Sequence, residues 1–401
     1  MKKRIIVAGA GFAGMWAAIS AARLTHLNEA DSLVEIFLVS PEPKLTIRPR
    51  LYESTLENMD PSLLEVLDAA GVKYIEGKVI DIDAINKTIS VKKPNEVATV
   101  KFDSFVLAAG SQVFNPELKG LREYSYDVSS LEKARELEKH LQFLSSLPDS
   151  KARSTVVVVG GGLTGLETVT EMPERLKTLF GEVCSPEIII VDNAFRIGEA
   201  MGESASAIIN EALTSNGIKV RTGVRVSSID ENGVTLSDGE FIPSKTVIWT
   251  AGMRANPLTS LIPGEHDSLG RVVSDSFLQA PEAKDVFVTG DTVKVPTDNV
   301  GNYNVMSCQH AMSLGRVAGH NAAAVLLGLP LHPYSQPKYV TCLDLGKWGA
   351  LYTEGWNYQV IYQGDEAKKI KQEINTVWIY PPKPDRETMF SVANPDYIIV
   401  P

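Results

Sequence analysis

Two stretches of this chain read the same way, and that repetition limits its fold more than any other feature. An apolar run at residues 4–8 leads into Gly9-Ala10-Gly11-Phe12-Ala13-Gly14. A β-branched run, Thr155–Val159, leads into Gly160-Gly161-Gly162-Leu163-Thr164-Gly165. Each pattern predicts a buried strand, a tight turn and a helix, the first helix over 11–24. The first glycine permits the turn, the second lets backbone approach a pyrophosphate, and the third lets helix and strand pack closely. The helix then offers unpaired N–H groups and a partial positive charge to phosphate. One such motif is weak evidence, but two in register, each flanked by strands, make a coincidence of structural turns a poor explanation.

The duplication continues past the turns. Apolar strands follow at 34–39 and 188–191. The second ends in Asp192, placed to accept hydrogen bonds from a ribose diol. A 2′-phosphate there would meet like charge, so NADH is expected ahead of NADPH, with Arg196 close enough to temper the preference. The first strand ends in Ser40, a weaker ribose partner than a carboxylate. Residues 72–91 and 219–236 then alternate as short strands, with Asp230-Glu231-Asn232-Gly233 the clearest hairpin turn. Each half closes on a strand ending in Ala-Gly, at Ala109-Gly110 and Ala251-Gly252. Between the halves, residues 129–147 form a charged amphipathic helix.

Composition excludes several classes. The 401 residues suggest two or three domains, and the formal net charge is -10. No Lys/Arg block exceeds Lys2-Lys3-Arg4 or Lys368-Lys369, so nucleic acid is not expected as a partner, nor a polybasic hold on a membrane. The basic, apolar N-terminus imitates a secretory signal, but such a signal needs no three-glycine turn, and the turn interrupts the only run approaching a membrane span. Cys184, Cys308 and Cys342 are too far apart for a disulfide framework or zinc motif, and no metal site is expected. A cytoplasmic enzyme fits these facts.

With these motifs the chain resembles the two-dinucleotide-binding-domain flavoproteins of the pyridine nucleotide–disulfide oxidoreductase superfamily, and among them most the type II NADH dehydrogenases. The resemblance spans about residues 4–330. It is carried by the two glycine turns, both Ala-Gly strand ends, Arg48-Pro49-Arg50-Leu51-Tyr52-Glu53, Trp249-Thr250-Ala251-Gly252-Met253 and Asp285-Val286-Phe287-Val288-Thr289-Gly290-Asp291. It implies an α/β fold with two Rossmann-like domains arranged as in glutathione reductase. A discontinuous FAD domain (1–120 and 256–330) would receive the NADH domain (150–255) as an insertion, and 331–401 would form a small C-terminal α+β domain at an interface or acceptor site. The implied FAD residues are Gly9, Gly11, Phe12, Ala13, Gly14, Ser40, Arg48, Val79, Ala109, Gly110, Gly290, Cys308 and Asp291, the last bonding the ribityl chain. The implied NADH residues are Gly160, Gly162, Leu163, Thr164, Gly165, Asp192 and Gly252. Glu167 falls where these enzymes carry a glutamate near the nicotinamide.

The departures narrow the activity. No cysteine stands between Ser40 and Leu67, so the thiolate a disulfide reductase needs is missing. Gln309 matches one of two glutamines that line the quinone site of type II enzymes, whereas Ser313 replaces the second and Cys308 an alanine. His310 begins a helix aimed at the flavin and is a candidate proton donor, with an ordinary pKa near 6.5. The end of the chain offers a short helix over 364–375, with Lys368, Lys369 and Lys371. Pro381, Pro382, Pro384 and Pro395 then block further helix, so no strong membrane association is expected. Its aromatic residues read as a core or a homodimer interface. The expected activity passes a hydride from NADH to N5 of FAD, and electrons onward to a quinone-like small molecule or a redox partner protein. The alternatives are a redox-controlled interaction protein resembling apoptosis-inducing factor, and a sulfide:quinone reductase using Cys342, with Cys184 as inert packing.

Overall fold

The computed structural model describes residues 2–181 and 185–399; Cys184 lies outside them. Both repeated halves form parallel sheets. In the first unit the strand order is Val286–Val288, Ser104–Leu107, Lys3–Ala8, Val34–Ser40, Lys73–Glu76, with Val7 paired to Leu38 on one side and Val106 on the other. In the second it is Lys219–Arg221, Glu187–Val191, Thr155–Val159, Thr246–Trp249. Parallel strands covered on both faces must be apolar throughout, and Thr155–Val159 and Thr246–Trp249 are buried along their whole length. In the second sheet, alternate residues go to opposite faces. Val156, Val158, Ile188 and Ile190 join the main core. Val157, Val159, Ile189 and Val191 form a separate core with Leu121, Ile229 and Val234.

Each sheet carries a three-stranded antiparallel meander, at Lys78–Asp83, Thr88–Lys92, Val97–Lys101 and at Val226–Asp230, Gly233–Leu236, Phe241–Pro243. Two strands link the units side by side, Ser111–Val113 antiparallel to Met253–Ala255. The amphipathic connector is the helix Leu131–Ser145, capped by Ser130 and burying Leu137, Leu141 and Leu144.

The glycine-turn helix Phe12–Leu27 crosses a long helix, Cys308–Leu327, at backbone contact. A Cβ at Gly315 would overlap the Ala13 carbonyl, and one at Gly319 the Ala17 carbonyl. Between those glycines, the fully buried Arg316 lays its guanidinium 3.7 Å over the Trp16 ring. It donates to the Met312 carbonyl at 3.0 Å and the Val392 carbonyl at 2.7 Å. Among the described residues no carboxylate pairs with it, and burial draws its pKa down to about 9.

The last part of the chain has two roles. A three-stranded antiparallel sheet (Val340–Asp344, Ala350–Glu354, Gln359–Gln363) supports the helix Gly364–Glu373, which ends in a π-helical turn, Ile374–Trp378. After the prolines, the helix Arg386–Val392 returns to the first unit, where Arg23 donates to the Phe390 carbonyl at 2.9 Å. The prolines that end one helix therefore start a return segment.

Replacing Gly319 by valine wedges two backbones apart, and overpacking of this kind costs typically about 1–3 kcal/mol. We expect a loss near the upper end, about 3 kcal/mol, read as a lowered urea midpoint with unchanged slope.

Candidate active site

The first glycine turn and the start of the helix that follows the second line one cleft of about 1090 Å³, while Gly160, Gly162 and Gly165 stay out of its wall. Its first-unit wall is Gly9, Gly11, Phe12, Ala13, Ser40, Arg48, Ala109, Gly110, Gly290 and Asp291. Leu163, Thr164 and Glu167 come from the second unit, and Cys308 and Gln309 from the start of the long helix. The cleft thus gathers fifteen of the residues singled out from sequence, drawn from both halves.

The cradle fits a dinucleotide. The helices Phe12–Leu27 and Leu163–Phe180 begin at Gly11 and Gly162, and neither N-terminus has a side-chain cap. Where a Cβ of Gly11 or Gly162 would stand, nothing lies within 4 Å. First-turn N–H groups left without caps beside open space form an anion site. Gly9 has φ +117, and a Cβ there would overlap the Ala108 carbonyl. Asp291 accepts from Ser111 Oγ at 2.5 Å, with Arg48 3.9 Å away. Burial pushes its carboxyl up, which suits a group that waits for hydroxyl donors.

Other expected residues serve from behind the wall. A Cβ at Gly14 would overlap the Gly9 carbonyl, and one at Gly165 the Gly160 carbonyl, so these glycines close the helix onto the turn. Gly252 lies against Phe114, and Val79 is buried in the core of the first meander. Asp192 stands at the second turn outside the cleft, its carboxylate accepting from the Gly161 N–H and, at 2.7 Å, the Ala194 N–H. Ser40 donates its hydroxyl to the Glu42 carbonyl at 2.5 Å, and it is the neighbouring Glu42 that brings a carboxylate to the cleft.

His310 requires a correction. It is absent from the cleft wall and fully buried, with Tyr339 and Trp356 against its ring at 5.3 and 5.9 Å. Its Nδ1 meets Ser307 Oγ at 3.0 Å, within the cap of the long helix. Burial, aided by Arg271, draws its pKa down to about 3, so the ring is neutral at physiological pH and holds no imidazolium proton for an acceptor. Both cleft cysteines are likewise quiet, because burial pushes Cys308 up to about 11 and Cys342 up to about 12. A thiol at those values is not a nucleophile near pH 7.

A buried cation in the cleft comes from the short helix that the sequence placed after residue 363, and it is not among the candidate site residues read from sequence. Lys371 turns inward from the helix Gly364–Glu373 and is 6% exposed. Its Nζ donates to Glu167 Oε1 at 2.7 Å and to the Cys342 carbonyl at 3.1 Å. The Asp344 N–H also donates to Glu167 Oε1, at 3.1 Å. Burial opposes the charge on Lys371, but the Glu167 carboxylate outweighs it and holds the ammonium above its ordinary pKa. Lys368 and Tyr52 bond the Asp344 carboxylate at 2.5 and 3.1 Å. One turn on, Asn375 donates to Glu53 at 3.1 Å. Glu53 is gripped by Arg50 at 2.6 and 2.9 Å, and Arg50 donates to the Tyr380 hydroxyl at 2.7 Å. Only an amide NH2 can bond a carboxylate, so the buried, unpartnered Asn375 Oδ1 must turn away from Glu53. Periodicity offered a hint: Ala367 and Lys371 lie four apart, on the buried face of a short helix made mostly of polar residues.

A buried neutral histidine binds its proton only on unfolding. Between pH 6.5 and about 3 the unfolded chain holds more protons at His310, so stability falls as pH drops through that window, by at most ~1.4 kcal/mol per unit from this group. Denaturant titrations at pH 7 and pH 5 should show a smaller loss for His310→Phe than for the unaltered chain.

Sequence and structure comparisons agree with this geometry. Residues 3–315 match the family described as pyridine nucleotide-disulphide oxidoreductase. An NADH dehydrogenase-like protein of Mycobacterium tuberculosis is 43% identical over 382 residues, 94% of each chain. The demethylphylloquinone reductase of Synechocystis is 28% identical, covering 87% of this chain and 86% of that one. In fold, the NDH2 of Plasmodium falciparum in complex with NADH superposes with a TM-score of 0.80 over 98% of this chain and 97% of that one, at 14% identity. The chain belongs to the pyridine nucleotide–disulphide oxidoreductases, as an NAD(P)H-dependent oxidoreductase of the NADH dehydrogenase-like kind.

Proposed function

We propose that the chain is an FAD-dependent NADH:acceptor oxidoreductase whose second substrate is a quinone-like molecule. The observation that carries this reading is the Glu167–Lys371 pair, buried in a cleft lined by the first glycine turn and by the start of the helix after the second. The demethylphylloquinone reductase of Synechocystis and the type II NADH:quinone oxidoreductase of Staphylococcus saprophyticus, 25% identical over 94% of each chain, support a quinone.

In this reading residues 1–120 and 256–330 hold FAD, and 150–255 hold NADH. When bound, FAD supplies the hydride-accepting and electron-releasing chemistry. The uncapped N-terminus at Gly11 would hold its pyrophosphate, Asp291 its polyol chain and Glu42 its adenosine ribose. On the reductant side, Asp192 takes the adenosine ribose of NADH, and Gly162 the pyrophosphate. Arg221, the basic residue ending the neighbouring strand, is tied to Asp238 at 2.9 Å and Glu240 at 2.6 Å. It is therefore not free for a 2′-phosphate; Arg196 stays exposed beside Asp192, so the preference for NADH over NADPH rests on the Asp192 carboxylate. Gln309 and Lys371 face the space where the second substrate sits. Lys371 Nζ holds a proton there, and Glu167 keeps that nitrogen charged until a reduced oxygen takes the proton.

Three variants test the assignment. Gly11→Val should give a colourless protein that does not take up FAD. Asp192→Ala should raise the KM for NADH about tenfold while kcat with saturating NADH stays close to normal. Lys371→Met should slow turnover with a soluble naphthoquinone by at least about 100-fold, while bleaching of the flavin by NADH in the absence of acceptor persists. Unchanged quinone turnover in Lys371→Met would remove the proton-donor role. A reduced protein that no quinone reoxidises would instead favour the redox-controlled interaction protein.

A further inference from the structure

The loop that follows Asp192 is pinned at Asp192, Ala194 and Ile197. Asp192 binds the Gly161 and Ala194 N–H groups. The Ala194 carbonyl accepts from the Gly223 N–H at 2.8 Å. Ile197 is 1% exposed, tucked where a Cβ of Gly161 would reach it, and its carbonyl accepts from Ser206 Oγ at 2.6 Å. Within this fixed frame Phe195 is 86% exposed. Gly223 stands beside it, where a Cβ would lie 3.7 Å from the ring.

We propose that Phe195 is the platform on which the adenine of the reductant stacks. The inference rests on the reading of the second unit as the NADH site and adds to it the residue that recognises the base. Phe195 stands three positions past the ribose carboxylate, at the carboxyl ends of the strands Glu187–Val191 and Lys219–Arg221. Ligands of open α/β sheets bind outside those ends. A ribose held by Asp192 carries its base along the same loop, and a flat heterocycle covers an aromatic ring by stacking. The surroundings favour a small ligand over a protein. Asn193 and Arg196 beside it are exposed and polar, so the ring is a single apolar spot and not a patch of the size that docks a partner.

The test separates the two ends of the dinucleotide in the FAD-loaded protein. ADP-ribose, which has the adenosine but no nicotinamide, is titrated by calorimetry. Reduced nicotinamide mononucleotide, which has no adenosine, is followed by bleaching of the flavin. Phe195→Ala should weaken ADP-ribose binding about tenfold, Phe195→Trp should keep it, and the mononucleotide should bleach both variants with the unaltered concentration dependence. ADP-ribose bound equally by the alanine variant and the original overturns the platform alone. So does equal weakening of ADP-ribose and the mononucleotide, which marks a disturbed loop. An original protein that binds no ADP-ribose overturns the reading of the second unit, and the platform with it.

Discussion

The meeting of two helix backbones, Ala13 and Ala17 against Gly315 and Gly319, organises the rest of the molecule. Only residues without bulk allow helices this close. The approach sets the start of the long helix beside the first glycine turn, so Cys308 and Gln309 enter the same cleft as Gly9 and Gly11. A strand order that places Val286–Val288 beside Ser104–Leu107 then delivers Asp291 to the same wall. Segments nearly 300 residues apart in the chain thus share one binding surface.

The fold was legible wherever its cause is local. A glycine turn between an apolar run and a helix states its own geometry in six residues, and the motif ending in Asp291 does the same at the close of a strand. Helix ends shifted by a few residues, as at Leu27 against an expected 24, because fraying and capping there depend on neighbours. What sequence could not disclose was decided by tertiary burial. Lys371 and Lys368 are close in sequence and identical in chemistry, yet one is buried against Glu167 and the other meets Asp344 from a more open position. His310 suggested chemistry by its type and helix position, but the aromatic ring of Tyr339, from a distant strand approach, encloses it. Ser40 read as a substitute for an acid, but its hydroxyl is spent on the Glu42 carbonyl.

The chain from 340 onward supplies the cation that pairs with Glu167. Among the described residues, neither half pairs a cation with Glu167. The helix Gly364–Glu373 brings Lys371 to it, and the π-helical turn after it sets Asn375 beside Glu53. Single-turn π distortions concentrate where a side chain must be aimed rather than merely packed. Here the turn aims an amide whose orientation is fixed by Arg50 and Tyr380 behind it.

Arg316 has a consequence for how the molecule is made. Its guanidinium is stripped of water in the heart of the first unit, and its acceptors include the Val392 carbonyl, with the Tyr397 ring 5.1 Å away. A ribosome finishes the glycine turns and both crossing helices well before it reaches those residues. Until they emerge, a cation lies under an incomplete roof, and water must keep it solvated. Synthesis from the amino end therefore leaves the nucleotide-binding half ajar, and its interior seals only when almost the whole polypeptide is available.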